Sequence, residues 1–561
     1  MIISDEELKQ LVLKVKLIDE KKLEKIASFA KDSGTNLFDA LIEKDVASDE
    51  NLGILIADYL KIPYVVLSKI SIPEEAFHIV PEKFARRQKM IAFARDENGI
   101  KIAMADPTNR EALELISKKT GQKVIPFFAT ERDIINTFHI FRKNLQKAFE
   151  SFFPEEAGNV TKTIAQNAPT AKIVDILIRY AYQDKTSDIH IEPQEEDSLV
   201  RFRIDGILQD VLKLPKNIHD QVVTRIKVLS RLRTDEHLSP QDGKLTIKLD
   251  EEALDIRVSI VPIVEGEKIV MRLLSSKQRQ FSLVDLGMSE SDLEKLNRAM
   301  NKSYGMILST GPTGSGKTTS IYSILKILNS REKNITTIED PVEYRIKGVN
   351  QIQVNTKTNL TFASGLRSIL RQDPNIIFVG EIRDSETASI AVNAALTGHL
   401  VVSTLHTNDA ATALPRLVDM DIEPYLVAST VNVIIGQRLV RKICDMCKSS
   451  VNISPKDLSI NLPPEMIRKN FGPKTPLTIY IGKGCKVCHF TGYSGRLGVY
   501  EVLEVTKEIR KLINIKADAD VIIKQAILDG MTSMLDDGLR KVAKGTTTIE
   551  EVLRVTKVEN L

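Results

Sequence analysis

Residues Gly305–Thr319 read GMILSTGPTGSGKTT, and the reading of this stretch decides the fold. Met306, Ile307 and Leu308 make a short apolar run suited to a buried strand. Gly311, Pro312, Thr313, Gly314, Ser315, Gly316, Lys317 and Thr318 then spell G-x-x-x-x-G-K-T, and from Thr319 and Ser320 to Leu328 the apolar spacing is helical. Strand, glycine-rich loop, helix is the order a phosphate-binding loop requires. Its glycines let the backbone turn so that successive N–H groups and a helix N-terminus point at phosphate. Lys317 would neutralise charge on the β/γ-phosphates, and the Thr318 hydroxyl would ligate Mg²⁺. The stretch predicts that the chain binds a nucleoside triphosphate.

Composition bounds the rest. A chain of 561 residues has room for about three or four domains. With 42% apolar and 27% charged residues it fits a soluble globular protein. A net charge of +3 makes no strong field for a polyanion, and 5% aromatics without Trp is poor material for base stacking. No apolar run reaches the roughly 18 residues of a spanning helix, and the opening MIISDEELKQ is no signal peptide. A cytoplasmic protein that meets membrane only through partners is expected, with no direct nucleic acid.

Before the loop the chain changes character twice. Residues 1–62 carry short amphipathic helices, with Leu8, Leu11, Val12 and Val15 on one face and Leu52, Leu55, Ile56 and Tyr59 on another. Tyr64–Leu67 reads as a strand, Ile91–Ala94 and Ile100–Ala105 as a hairpin around Asn98-Gly99, Asn109–Thr120 as a helix and Lys123–Ala129 as a strand. Residues 1–145 are thus a helical plus small α/β domain suited to docking, and 146–168 a linker long enough to let it move. From Thr170 to Gln183 a helix is expected, followed by strands in SDIHIEP, LVRFRIDG, LDIRVSIVP and KIVMRLL. Alternation in LVRFRID puts Val200, Phe202 and Ile204 on one face and Arg201 and Arg203 on the other. Arg257 and Arg272 lie in the later strands. Such arginines either clamp phosphate or line a salt-bridged sheet face, since guanidinium forks suit both.

Downstream of the loop three more apolar runs end in polar groups. Ile335–Ile338 ends in Glu339-Asp340, Ile376–Val379 in Gly380-Glu381, and Leu400–Leu405 in His406. In an open parallel sheet ligands bind beyond the carboxyl ends of the strands, so these groups should share a rim with the glycine loop. Lysine, hydroxyl, two carboxylates and a histidine on one rim suit phosphoryl transfer. Glu381 is the expected acid for polarising water and helping to hold Mg²⁺, Glu339 its competitor, and His406 either a sensor of the γ-phosphate or a structural residue. Gly380 stands where a common metal-binding strand has Asp. The four cysteines form two C-x-x-C knuckles, Cys444/Cys447 and Cys485/Cys488, whose thiolates could close a structural Zn²⁺ site, with the segment between them making an excursion.

Taken together, GPTGSGKTT, TIEDPVEY (Thr337–Tyr344), GEIRD (Gly380–Asp384), TGHLVVSTLHTND (Thr397–Asp409), SDIHIEP, RFRIDG and GCKVCHFTGYSGRLGVYEVL resemble the secretion ATPase superfamily that powers type IV pilus assembly and type II secretion. The resemblance spans about residues 168–545 and weakly the N-terminus. It implies an α/β multidomain chain with a PAS-like α+β domain at 169–284 and a RecA-like P-loop core at 285–561, the latter carrying a zinc-binding insertion at 441–498. It implies a homo-hexameric ring with ATP held between these domains, and places Arg203, Arg257 and Arg272 near phosphates or subunit contacts. The family's lack of the expected Asp explains Gly380. The cysteines and long N-terminus fit the assembly and secretion branches better than the retraction branch. The N-terminal region resembles the family's cyclic-di-GMP module but lacks its Arg-Leu-Gly and later glycine signatures in Leu8–Leu17 and Asn36–Val46, so docking to an inner-membrane platform protein is expected of it. The function implied is a mechanochemical ATPase driving pilin extension. The alternatives are the type II secretion motor and, against the charge and aromatic content, a nucleic-acid translocase.

Overall fold

A computed structural model describes residues 2–15, 17–33, 35–44, 46–70, 72–138, 170–249, 252–275, 282–459, 462–472 and 476–556. The linker expected at 146–168 lies outside them. The chain divides into two compact units, one of Met1–Ala76, Gln88–Ile134 and Phe281–Leu561, the other of Phe77–Arg87 and Ile135–Gln280.

The first unit is built on a seven-stranded sheet in the order Asn350–Gln353, Ile335–Glu339, Ile376–Val379, Leu400–Leu405, Gly305–Thr310, Val431–Ile443, Tyr493–Glu504. Every pairing is parallel except the last, where Val431–Ile443 and Tyr493–Glu504 run antiparallel. Strands buried on both faces read as continuous apolar runs, and side-chain alternation splits Gly305–Thr310 between two cores. Met306 and Leu308 pack with Ala388, Ala391 and Val427 on one side; Ile307 packs with Ile321, Leu325 and Leu296 on the other. Gly305–Thr310 sits third from one edge, between Leu400–Leu405 and Val431–Ile443, so its carboxyl end opens onto the middle of the rim.

In the same unit the N-terminal helices Asp5–Lys14, Glu20–Ser33, Leu37–Glu43 and Asp49–Leu60 share one core through Leu8, Leu23, Leu41 and Ile56. Ser4, Asn36 and Ser48 each cap a helix by accepting an N–H of its first turn. The expected hairpin is present as Met90–Asp96 against Gly99–Met104, with Val124–Phe128 added in parallel. Tyr64–Leu67 does not form a strand. Proline at position 63 has no N–H to give a ladder, so the segment makes one bridge, Tyr64 to Phe128, and turns into the short 3-10 helix Leu67–Lys69. Lys44 Nζ reaches across to the carboxyl end of the helix Lys317–Leu328, donating to the carbonyls of Lys326 (2.6 Å) and Asn329 (2.5 Å).

The second unit holds a six-stranded antiparallel sheet in the order Ile207–Pro215, Asp197–Ile204, Asp188–Pro193, Gly266–Leu274, Ala253–Ile263, Gln241–Lys248. Helices Thr170–Gln183 and Lys216–Leu229 cover one face, burying Ile173, Leu177, Val222 and Ile226 against Ile189, Val200 and Phe202. The opposite face carries the arginines, as the alternation in LVRFRID requires. Among the described residues no helix is long and apolar enough to cross a membrane.

Candidate active site

The strand Gly305–Thr310 hands the chain to the glycine loop through three residues at positive φ: Gly311 (139°), Gly314 (79°) and Gly316 (92°). At Gly311 a side chain is excluded twice, by φ and because a Cβ would lie 2.5 Å from the carbonyl oxygen of Gln437. The helix Lys317–Leu328 starts from Gly316 with no side-chain cap. The neighbouring helix Ser385–Leu396 is capped instead, by Asp384 accepting the Thr387 N–H at 2.7 Å. An uncapped helix N-terminus behind a glycine loop leaves its donors for an anion, so these residues fit a bound triphosphate.

Lys317 is buried and its Nζ donates to the carbonyls of Gly311 (2.6 Å) and Pro312 (3.0 Å). Burial holds its ammonium below the usual lysine range, with Glu381 pulling it back up and Arg438 pushing it down. Thr318, at the second helical position, has its side chain half-buried at the loop's edge. Thr313 and Gly314 form the exposed tip, while Ser315 is buried beneath it.

The neighbouring strand ends complete the rim. Glu381 follows Gly380, and its side chain is only 12% exposed. One oxygen, Oε2, receives both His406 Nε2 at 2.9 Å and Arg383 Nε at 2.8 Å. Thr404 Oγ1 donates to the Gly380 carbonyl at 2.7 Å, tying the strand that delivers His406 to the one that delivers Glu381. Glu339 is in a different state. It is buried, Oε2 accepts from the Tyr322 hydroxyl, and Oε1 accepts from Thr337 Oγ1 (2.5 Å) and Gln351 Nε2 (3.1 Å). Burial raises its carboxyl above the usual range even though all three donors lower it.

The arginines lie in the second unit. Asp188 is flanked by Arg272 Nε at 2.9 Å and Arg203 Nε at 3.6 Å, its partners on the two adjacent strands. Arg257 stands opposite Arg272 in the ladder of Ala253–Ile263 with Gly266–Leu274.

The cysteines converge. All four Sγ atoms lie within 4.8 Å of one another, with Cys444–Cys485 at 3.8 Å, Cys447–Cys488 at 3.9 Å and Cys485–Cys488 at 3.7 Å. Disulfides need about 2.0 Å. Four thiolates around one tetrahedral ion, each about 2.3 Å away, sit about 3.8 Å apart. Each knuckle is a 3-10 turn, Asp445–Cys447 and Lys486–Cys488, and the excursion between them is the hairpin Lys448–Ile453 with Leu477–Gly482 plus two short helices. Burial pushes the Cys447 thiol up to about 11 and Cys444 higher still. Burial raises Cys488 too, but N–H donors of Cys485 (3.2 Å) and Gly492 (3.3 Å) outweigh it and hold that thiol down. The donor set and spacing fit Zn²⁺.

Gln437, Arg383 and Tyr322 were not singled out in the sequence, although each touches a group that was. Arg383 has a visible signal, standing two residues from Glu381 in GEIRD. Gln437 has none, because it arrives from a strand remote in the chain.

A family model for type II/IV secretion system proteins matches residues 163–554, and one for the MshEN domain matches 60–144. The type IV pilus assembly ATPase PilB of Myxococcus xanthus is 36% identical over 559 residues, 97% of this chain and 98% of that one. Type II secretion system protein E of Pseudomonas aeruginosa is 44% identical over 393 residues, covering 70% of this chain and 76% of its own length. In fold, 69% of this chain is similar to 95% of the ATPase DotB of Legionella pneumophila, at a TM-score of 0.51 and 20% identity. With the family model spanning most of its length and a relative aligned nearly end to end, the chain belongs to the type II/IV secretion system protein family and is an ATP hydrolase of that family.

Proposed function

We propose that this chain is the cytoplasmic motor of type IV pilus assembly, a homo-hexamer that couples ATP hydrolysis to pilin addition through an inner-membrane platform protein. One observation carries the choice: the pilus assembly ATPase of M. xanthus aligns over 97% of this chain, N-terminal region included. The type II secretion motor is the second reading, favoured by the higher identity of its relative over the 70% of this chain that aligns.

In this reading the glycine loop and the uncapped helix hold the phosphates, and Lys317 leaves the Gly311 and Pro312 carbonyls for phosphate oxygens. Thr318, with Glu381 directly or through water, would hold Mg²⁺, which would supply neutralisation of phosphate charge. Glu381 orients and polarises the attacking water, its carboxylate aimed by His406 and Arg383. Glu339 has its donors close at hand and serves better to brace the strand end. Arg203, Arg257 and Arg272 serve phosphate or a subunit contact, and in either role Arg203 and Arg272 would have to give up Asp188. Zn²⁺ in the cysteine cluster is structural.

Complementation tests the pathway. In a strain lacking this chain, the wild-type copy should restore surface pili, and Lys317→Ala should abolish both turnover and pili. Restored export of folded exoproteins with no change in pili would turn the assignment to type II secretion.

A further inference from the structure

The sheet brings one residue under the glycine loop that the mechanism above leaves idle. Val431–Ile443 runs parallel beside Gly305–Thr310, with Ser309 opposite Ile435 and Thr310 opposite Gly436. Past Thr310 one strand breaks into the loop while its neighbour continues, so Gln437 arrives beneath the turn. It is 1% exposed. Its Nε2 donates to the Ser315 carbonyl at 2.8 Å, and its Oε1 accepts from Ser309 Oγ at 3.5 Å. The fit is close on both sides: a Cβ on Gly311 would lie 2.5 Å from the Gln437 carbonyl, and one on Gly316 would lie 3.1 Å from Nε2.

The geometry assigns Gln437 as a positioning residue for nucleotide binding, a buried carboxamide that sets the direction in which the glycine loop presents its N–H groups. In a trans peptide the C=O and the following N–H point in opposite directions. Holding the Ser315 oxygen down toward Gln437 therefore turns the Gly316 N–H outward, to the side where the helix N-terminus opens. The backbone around that peptide is ill-suited to hold it alone, since Gly316, on its far side, is at φ 92° and Gly314, the residue before Ser315, is at φ 79°, both conformations that glycine leaves free. With the carboxamide in place the anion meets a loop already set, and the cost of ordering it is not charged against binding. Gln437 touches no nucleotide itself, so its loss should weaken phosphate binding more than it slows the chemical step.

The inference rests on the ATPase reading, which turnover by the unsubstituted chain tests by itself. Gln437→Met keeps the volume and removes the donor; Gln437→Asn keeps an amide but falls one methylene short. In the full-length protein with Mg²⁺, each should raise the ATP KM and the ADP Kd about tenfold, the scale of one hydrogen bond, with kcat within about threefold of wild type. Unchanged ATP KM and ADP Kd in a folded variant would overturn the assignment. So would a fall in kcat at unaltered KM, which marks a merely structural role. If the methionine variant fails to fold, the asparagine variant decides by the same two numbers.

Discussion

Two carboxylates competed for the catalytic role, and their surroundings set them apart. His406 and Arg383 both hold Glu381 by Oε2, which leaves its other oxygen for water or metal. Glu339 is surrounded by the donors of Tyr322, Thr337 and Gln351 in a site that raises its proton affinity. Glu381→Gln should therefore bind ATP within a few-fold of wild type while turnover falls by about a hundredfold or more, the scale of a lost general base. Glu339→Gln should keep a larger share of turnover and lose about 1–3 kcal/mol of stability, because an amide placed among donors leaves at least one of them unpaired. Nucleotide titrations and steady-state rates on the two variants check this. Turnover abolished by Glu339→Gln and retained by Glu381→Gln would reverse the roles.

At the scale of elements, the antiparallel pair Val431–Ile443 and Tyr493–Glu504 does more than close the sheet. Gly436 faces Glu501 across the ladder, and a Cβ at Gly436 would lie 2.7 Å from Glu501 Oε1. That oxygen accepts the Ala410 N–H at 2.7 Å, fixing the loop that follows His406. Burial raises the Glu501 carboxyl from its ordinary 4.5 to about 7, with Asp409 adding to the rise and the Ala410 N–H opposing it. Between pH 4.5 and 7 the folded chain thus holds a proton that the unfolded chain has released. Stability falls as pH rises through that window, by about 3 kcal/mol in all. Glu501→Gln should remove this slope and melt higher than wild type at pH 8, with the gap closing toward pH 4.5. Equal midpoints for both proteins across that range would contradict it. The pair also shows what was legible in the sequence. The P-loop, the three strand-end motifs and the two cysteine knuckles were readable because each is a contiguous run whose chemistry depends on its own neighbours. Gln437 and Glu501 were opaque because their partners, Ser315 and Ala410, are set by strand register, which no local pattern encodes. The strands Ile207–Pro215 and Gln241–Lys248 escaped for another reason: their outward residues are mixed, and little apolar alternation marks them.

At the scale of the whole first unit, the same strand that positions the loop runs on into Cys444, and the partner strand begins just after Cys488. An ion held by the cluster would therefore clamp the two strand ends at the point where the hairpin excursion leaves the sheet, and Cys444 N–H donates to the Gly492 carbonyl there at 2.9 Å. Four thiols brought this close, two of them with raised proton affinity, lack a mutual attraction of their own. Four thiolates this close would need a cation to offset their mutual repulsion, and a Zn²⁺ ion held by all four would supply it. Elemental analysis of the purified chain should find about one zinc per chain, and Cys485→Ser should reduce that to a small fraction. Stripping the metal with a strong chelator should cost several kcal/mol, a fall of about 10 °C in the midpoint at roughly 2–4 °C per kcal/mol. It should also make residues 448–484 more open to protease, although Leu458, Ile467 and Leu477 still pack there with Val440, Val499 and Leu539. Metal-free protein with an unchanged midpoint would leave the cluster as four neighbouring free thiols and remove the clamp.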